Sequence, residues 1–379
     1  MTGRSPLRAT DCTAVVQGAA LPVVVCEGRR DDSPLVLALD PAQNLAITIG
    51  SELNIMTLTP GIASPGKAWG LRRMAGADGR FAMLAADQRP PIMNLTKGKR
   101  GEADYRFDDV AQVKELIVQH LAPEATAVLL DPVWAYTRCI PHVSPRQGLL
   151  LTLEDHAFKD TPDGRYSNEI TDWSVDHIKR HGADGVKVLA WYRPDASKAV
   201  HEHQARFIRK IGADCRRNDI CFLLEFLVYP LGGDVGYAED PHKYPAMVIE
   251  SVRRFAGAEY GVDIFKLESP LPAKALPDPD KGGVDAKHTQ ALFDELGKAC
   301  GRPWVMLSAG ASAADFSKVL TYAYRAGANG YLAGRAIWWD AMQAFPDAGA
   351  IAKRLQGGSV PYMRAINALT AKSATPVTV

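Results

Sequence analysis

Eight short apolar runs recur between residues 80 and 336, and a longer amphipathic stretch follows most of them. The runs are "RFAMLAADQ" (80–88), "TAVLLD" (126–131), "GLLLTLE" (148–154), "DGVKVLAWY" (184–192), "ICFLLEF" (220–226), "VDIFKLES" (262–269), "PWVMLSAG" (303–310) and "NGYLAGRA" (329–336). Strands covered on both faces read this way because neither face meets water, whereas a half-exposed strand alternates. Intervening stretches such as "ITDWSVDHIKRHGA" (170–183), "HEHQARFIRKIGADCRRND" (201–219) and "AADFSKVLTYAYRAGA" (313–328) carry helical spacing. Several reach a Gly-Ala step just before the next run, where glycine can adopt the left-handed turn that ends a helix. A strand–helix unit repeated eight times predicts a TIM (β/α)8 barrel. A doubly wound sheet is the structural rival, but it usually has fewer strands.

Residues 1–70 follow a different pattern. "LPVVVCEG", "PLVLALD", "LAITIG" and "NIMTLTPG" are short β-like pieces separated by Gly, Pro and Asp turns. They predict a small β-rich N-terminal extension over 1–70, with the barrel domain over 71–379. No chemistry is visible in the extension, which suits packing, an oligomer contact or a lid.

Composition excludes several partners. The chain has 44 basic and 43 acidic residues, a net charge of +1, which gives no electrostatic drive toward nucleic acid or an anionic membrane. No apolar stretch approaches the ~20 residues of a membrane span, and the N-terminus lacks the apolar segment of a secretory signal. The six cysteines are scattered without CxxC pairs, as expected of reduced thiols in the cytoplasm rather than a disulfide framework or a zinc site.

The mouth of a TIM barrel, at the C-terminal ends of its strands, is where such folds hold their sites. The runs place Asp87, Gln88 and Arg89 there from the first strand and Asp131 from the second. The fourth and fifth carry Lys187 and Glu225. The sixth carries Lys266 and Glu268. The seventh ends in Ser308, Ala309 and Gly310, and the eighth in Gly334 and Arg335. Ionisable residues inside apolar strands are costly to bury, so several converging on one mouth point to a site. Asp87 and Asp131 can alternatively cap the helices that follow.

Lys266 lies between Phe265 and Leu267. An amine is nucleophilic only when neutral, and both burial and a second nearby cation, for which Lys187 is the candidate, disfavour the ammonium. A carboxylate such as Glu225 can shuttle protons beside it. The chemistry those residue types allow is Schiff-base catalysis. A snorkelling or ion-paired lysine is the alternative for each amine, and an ion-pair role for Glu225. The small residues of "LSAGAS" and "LAGRA", each before a helix, suit a phosphate held on backbone N–H groups, with Arg335 as a charged clamp. "TKGKR" (96–100), in the first loop, could meet a second anion or be a solvated basic loop. Metal chemistry is not expected, because the histidines avoid strand ends and His201 and His203, an i, i+2 pair, point to different sides of a helix as surface residues.

"TDWSVDHIKRHGADGVKVLAWYRPD", "FLLEFLVYP", "DIFKLESP", "PWVMLSAGAS" and "GYLAGRAIWWD" resemble the class I tagatose-1,6-bisphosphate aldolase family. "GRFAMLAADQR" is similar to the start of the barrel in that family and in the related sulfofructose-phosphate aldolases. The resemblance spans about residues 72–345, with its motifs in order on strands 1, 4, 5, 6, 7 and 8. It implies a metal-independent aldolase with no cofactor and a covalent Schiff base on Lys266. Its other site positions fall on Asp87, Gln88, Lys187 and Glu225, and its phosphate site on Ser308, Gly310, Gly334 and Arg335. The expected reaction is cleavage of a ketose phosphate, like tagatose 1,6-bisphosphate or sulfofructose 1-phosphate, to dihydroxyacetone phosphate and an aldehyde. Two rivals remain at this stage: another Schiff-base lyase or transaldolase on the same barrel, and a non-catalytic barrel that binds a sugar phosphate. A homo-oligomer, dimer or higher, is expected from the extension and from apolar surface at Trp338 and Trp339.

Overall fold

The computed structural model describes residues 64–378 and, before them, the backbone of four short strands. The chain divides into two compact units, Met1–Ala63 and Ser64–Val379. In the first, Cys12–Val15, Val23–Cys26, Leu35–Ala38 and Ala46–Thr48 pair antiparallel in sequential order. The last three fall in runs that read as β pieces. "CTAV" is too short and mixed to signal a strand, and "NIMTLTPG" lies outside the described residues.

The second unit is a closed barrel of eight parallel strands, each from one of the eight apolar runs. They are β1 (Phe81–Ala85), β2 (Ala127–Leu130), β3 (Gly148–Thr152), β4 (Gly185–Trp191), β5 (Cys221–Leu227), β6 (Ile264–Leu267), β7 (Trp304–Met306) and β8 (Gly330–Ala333). This is the TIM barrel that the spacing predicts.

The strand residues sort by parity into two sets. Leu84, Val128, Leu151, Val188, Leu224 and Phe265 share one buried cluster with helix residues such as Ile117, Ile208, Val252 and Leu320. The alternate residues Met83, Leu129, Leu150, Leu223, Ile264, Val305 and Leu332 are buried but outside that cluster, and fill the barrel interior. Side chains on a strand alternate faces, so Lys187, Glu225 and Lys266 point into the barrel. Phe265 and Leu267 lie on the helix side, and do not surround the Lys266 amine as the linear sequence suggests.

Two local expectations are corrected. "TKGKR" is the end of a helix, Pro90–Arg100, and not a loop. Its two leading prolines have the φ a first helical turn needs, and Lys97, Lys99 and Arg100 sit at the C-terminal turn, where the helix dipole favours cations. Lys97 pairs with Glu102 at 3.1 Å and Arg100 with Asp109 at 2.9 Å. Trp338 offers no surface to a partner: it is fully buried, and its indole N–H donates to Ala85 O at 3.0 Å.

The Gly-Ala steps divide. Gly182 (φ 83°) and Gly327 (φ 91°) take the left-handed turn after their helices. Gly212 instead lies inside the helix Lys198–Arg217, where a Cβ would fall 1.9 Å from Tyr260 O. Here glycine admits a neighbouring backbone rather than ending a helix. No helix among the described residues is long and apolar enough to cross a membrane.

Candidate active site

A cavity of about 390 Å³ opens at the C-terminal ends of the strands. Of the residues singled out from sequence, Gln88, Glu225, Lys266, Glu268, Ser308, Ala309, Gly334 and Arg335 line it. Asp87, Arg89, Asp131, Lys187 and Gly310 do not.

The two lysines stand differently. Lys187 Nζ is held by three carboxylates, Asp87 Oδ2 at 2.9 Å, Glu154 Oε1 at 2.9 Å and Glu225 Oε2 at 3.0 Å. Burial alone would push its ammonium toward losing a proton, but Asp87, Glu154 and Glu225 outweigh that and raise its pKa well above the ordinary lysine value. Lys266 Nζ, which lines the cavity, has one carboxylate partner, Glu225 Oε2 at 2.9 Å. Glu225 lies opposite Lys266 in the β5–β6 register and bridges the two amines.

The carboxylates take their state from those cations. Burial would raise Asp87, but Lys187, Lys266 and Arg89 carry it far below the usual aspartate range. Glu225 is likewise raised by burial and lowered further by Lys187 and Lys266, for a net downward shift. Both are carboxylates at neutral pH.

Arg89 and Asp131 belong to the supporting wall. Arg89 donates to Thr152 Oγ1 at 2.9 Å, to the Glu154 backbone carbonyl at 3.0 Å and to Glu154 Oε1 at 3.2 Å, and so orients the carboxylate that meets Lys187. Asp131 does not cap the following helix, Tyr136–Cys139, whose N-cap is Ala135; it accepts the backbone N–H groups of Val133 and Trp134 in the turn before that helix and pairs with Lys114 at 2.6 Å. Both members of that pair are almost wholly buried. Lys114→Met should therefore lower stability by about 3–5 kcal/mol, because Asp131 keeps a buried charge without its partner. Urea unfolding of the variant measures this, and a loss under 1 kcal/mol would contradict it.

The backbone after β7 and β8 forms the second half of the site. Ala309 (φ 46°) and Gly310 (φ 80°) are consecutive left-handed residues, which turn the chain sharply after Ser308. Gly310 packs against Arg335, where a Cβ would come within 3.3 Å of Nη1. Gly334 permits closer approach still, since a Cβ there would meet Ala85 O at 2.5 Å. Arg335 opens the helix Arg335–Met342, and the Ala336 N–H in its first turn donates to Ser308 Oγ at 3.5 Å. The Arg335 guanidinium hydrogen-bonds no protein acceptor among the described residues, although burial makes its charge costly. A tetrahedral anion fits that combination of arginine, hydroxyl and helix N-terminus.

Several residues that sequence reasoning left aside enter the site. Glu154 closes "GLLLTLE" and was legible as the acidic end of the third run. Glu268, which the sequence places at the mouth on the sixth strand without assigning it a role, lines the cavity; its Oε1 accepts from Val228 N–H at 2.7 Å and its Oε2 from the Tyr244 hydroxyl at 2.9 Å. Arg165, Trp191, Tyr229 and Tyr244 also line the cavity, and nothing in their local sequence marks them. His201 and His203 are half-buried, not free at the surface, with Nε2 atoms 2.8 Å from Arg193 O and Ser167 O.

Burial pushes Glu268 up to about 7, although the Val228 and Tyr244 hydrogen bonds favour its charged form. The fold thus favours the neutral acid. Its contribution to stability is complete below the ordinary value of 4.5 and is lost as pH rises through about 7. Glu268→Gln stays neutral, so between pH 5 and 8 the parent should lose up to about 3 kcal/mol relative to this variant. Urea midpoints across that range test it; a constant difference would contradict the shift.

The sequence profile described as DeoC/LacD family aldolase matches residues 81–340, from the first residue of β1 into the helix after β8. The chain belongs to the DeoC/LacD aldolase family. It is an aldolase, a lyase acting on carbon–carbon bonds. Among its relatives, tagatose 1,6-diphosphate aldolase of Listeria monocytogenes is 33% identical over 294 residues, covering 76% of this chain and 86% of the relative. Tagatose 1,6-diphosphate aldolase 1 of Streptococcus mutans is 31% identical over 298 residues, covering 75% and 88%. The crystal structure of an archaeal fructose 1,6-bisphosphate aldolase superposes with a TM-score of 0.53 at 18% identity, covering 80% of this chain and 99% of the other. This DeoC/LacD aldolase shares that barrel. Its described residues contain no cluster of three or more His, Cys, Asp or Glu side chains suited to a metal.

Proposed function

We propose that this aldolase cleaves a ketose phosphate, of the tagatose 1,6-bisphosphate or sulfofructose 1-phosphate type, to dihydroxyacetone phosphate and an aldehyde through a Schiff base on Lys266. The observation that carries the reading is the inequality of the two lysines. Lys187 is locked among three carboxylates outside the cavity, while Lys266 faces the cavity with one partner, Glu225, 2.9 Å away. The tagatose aldolases of Listeria and Streptococcus support the substrate class.

The steps follow from those contacts. Lys266 passes a proton to Glu225 and its free amine adds to the ketone carbon. Glu225 returns the proton to the carbinolamine oxygen, which leaves as water, and the iminium becomes an electron sink. The Glu225 carboxylate then takes the proton of the hydroxyl beyond the bond that breaks. The aldehyde departs, the bond's electron pair remains as an enamine, and protonation and hydrolysis release dihydroxyacetone phosphate and regenerate the amine. Asp87 does not perform the base step in this scheme, because its Oδ2 is committed to Lys187 and it does not line the cavity. Lys187 acts as a positioning residue that keeps Glu225 charged. Ser308, Ala309, Gly334 and Arg335 hold the phosphate, and Gly310 makes the turn that packs against Arg335. The reaction requires no metal.

A substrate panel tests this. Release of dihydroxyacetone phosphate is measured with tagatose 1,6-bisphosphate, fructose 1,6-bisphosphate and sulfofructose 1-phosphate, with and without EDTA; 2-deoxyribose 5-phosphate is followed by acetaldehyde release. Cleavage of at least one ketose phosphate, unaffected by EDTA, is expected. Cleavage of deoxyribose 5-phosphate alone, or binding without turnover, would overturn the proposal.

A further inference from the structure

The insert after β3 carries a hairpin, Lys159–Thr161 paired with Gly164–Tyr166, that sequence periodicity does not reveal. It brings one charged side chain to the cavity, Arg165. The guanidinium carbon lies 4.7 Å from the Phe158 ring centroid, 4.5 Å from Trp191 and 4.7 Å from Tyr229. Three rings so placed hold a cation by their faces and shed its water.

The same cage leaves the donors of Arg165 nearly unused. Its one carboxylate neighbour, Asp160 Oδ2, is 3.4 Å from Nε and largely exposed. Nε itself is buried without a hydrogen bond, and Nη1 and Nη2 donate to no protein acceptor among the described residues. A guanidinium offers five N–H donors, and leaving them unpaired beside a cavity is costly unless a ligand meets them.

The hairpin is fixed where it stands. The Arg165 backbone N–H donates to the Tyr229 hydroxyl at 3.0 Å, and Thr161 Oγ1 donates to Gly164 O at 2.7 Å. Gly164 (φ 134°) leaves the room, since a Cβ there would fall 2.6 Å from the Tyr229 oxygen. Trp191 ends β4, which stands across the eight-membered ring from β8, the strand that leads into Arg335. The cavity therefore has an arginine at each of two separated walls.

We propose that Arg165 is the receptor for a second tetrahedral anion, a phosphate or sulfonate at the far end of the substrate, and so sets the preference for doubly anionic ketoses. This rests on the ketose-phosphate reading above. A planar fork can meet two oxygens of such a group at once, and its aromatic bed keeps competing water away.

Unreactive polyols test the proposal without needing turnover. Binding of hexitol 1-phosphate, hexitol 1,6-bisphosphate and 6-deoxy-6-sulfohexitol 1-phosphate is measured by calorimetry on the full chain and on Arg165→Gln. The parent should bind at least one doubly anionic polyol about 10- to 100-fold more tightly than the monophosphate. Which of the two it favours identifies the distal group. Arg165→Gln should lose that preference and keep its monophosphate affinity within about 2-fold, which also shows that the cavity has retained its form. Equal affinities in the parent, equal weakening toward all three in the variant, or a preference that survives the substitution would overturn the assignment alone. Binding of none of the three by the parent would overturn the ketose-phosphate reading and the assignment with it.

Discussion

Replacing Lys266 with alanine is expected to abolish turnover, with kcat/KM reduced by at least about 10⁴-fold and KM undefined for want of signal. The expectation follows from mechanism rather than folding. Lys266 is 3% exposed, but its loss leaves no carboxylate stranded: Glu225 Oε2 still has Lys187 Nζ at 3.0 Å. The variant should therefore unfold close to the parent in urea and still bind an unreactive sugar phosphate. Lys187 cannot take over, because it lies outside the cavity and its proton is held by Asp87, Glu154 and Glu225. Activity within tenfold of the parent would remove Lys266 from the mechanism.

Glu225→Gln should have the next largest effect, a fall in kcat of about 10²- to 10⁴-fold. Its carboxylate touches both amines and is asked to carry the proton in each half of the reaction. An amide keeps the shape but can neither accept the Lys266 proton nor take one from the substrate. Lys187 retains Asp87 and Glu154, each at 2.9 Å, so the variant should stay folded. Single-turnover kinetics separate the steps: covalent adduct formation and carbon–carbon cleavage should both slow. A variant with unchanged cleavage would move the base role elsewhere, and Glu268, the other acid lining the cavity, would be the residue to examine.

The barrel was legible in the sequence because eight doubly buried strands must be apolar on both faces, and all eight runs became strands. Period two then explains why Lys187, Glu225 and Lys266 face one interior. What the linear sequence could not convey was neighbourhood. Phe265 and Leu267 flank Lys266 in the chain yet pack toward the helices, so the amine lives among charges rather than rings. Lys187 reads as a cation that would repel Lys266, but its charge is spent on three carboxylates, one of them Glu154 at the end of β3. Asp131, acidic and at a strand end like Asp87, turns to cap its own loop and pair with Lys114. Arg165 was invisible because its hairpin has no repeating pattern, and its significance comes from Trp191 and Tyr229, which are distant in sequence.

The central claim is that Lys266 forms the covalent intermediate. The most direct test is borohydride reduction of the protein with dihydroxyacetone phosphate, followed by intact-mass measurement and peptide mapping. A reduced adduct on the peptide carrying Lys266, absent from Lys266→Ala, is the predicted result. An adduct on Lys187, or none while dihydroxyacetone phosphate still binds, would contradict it.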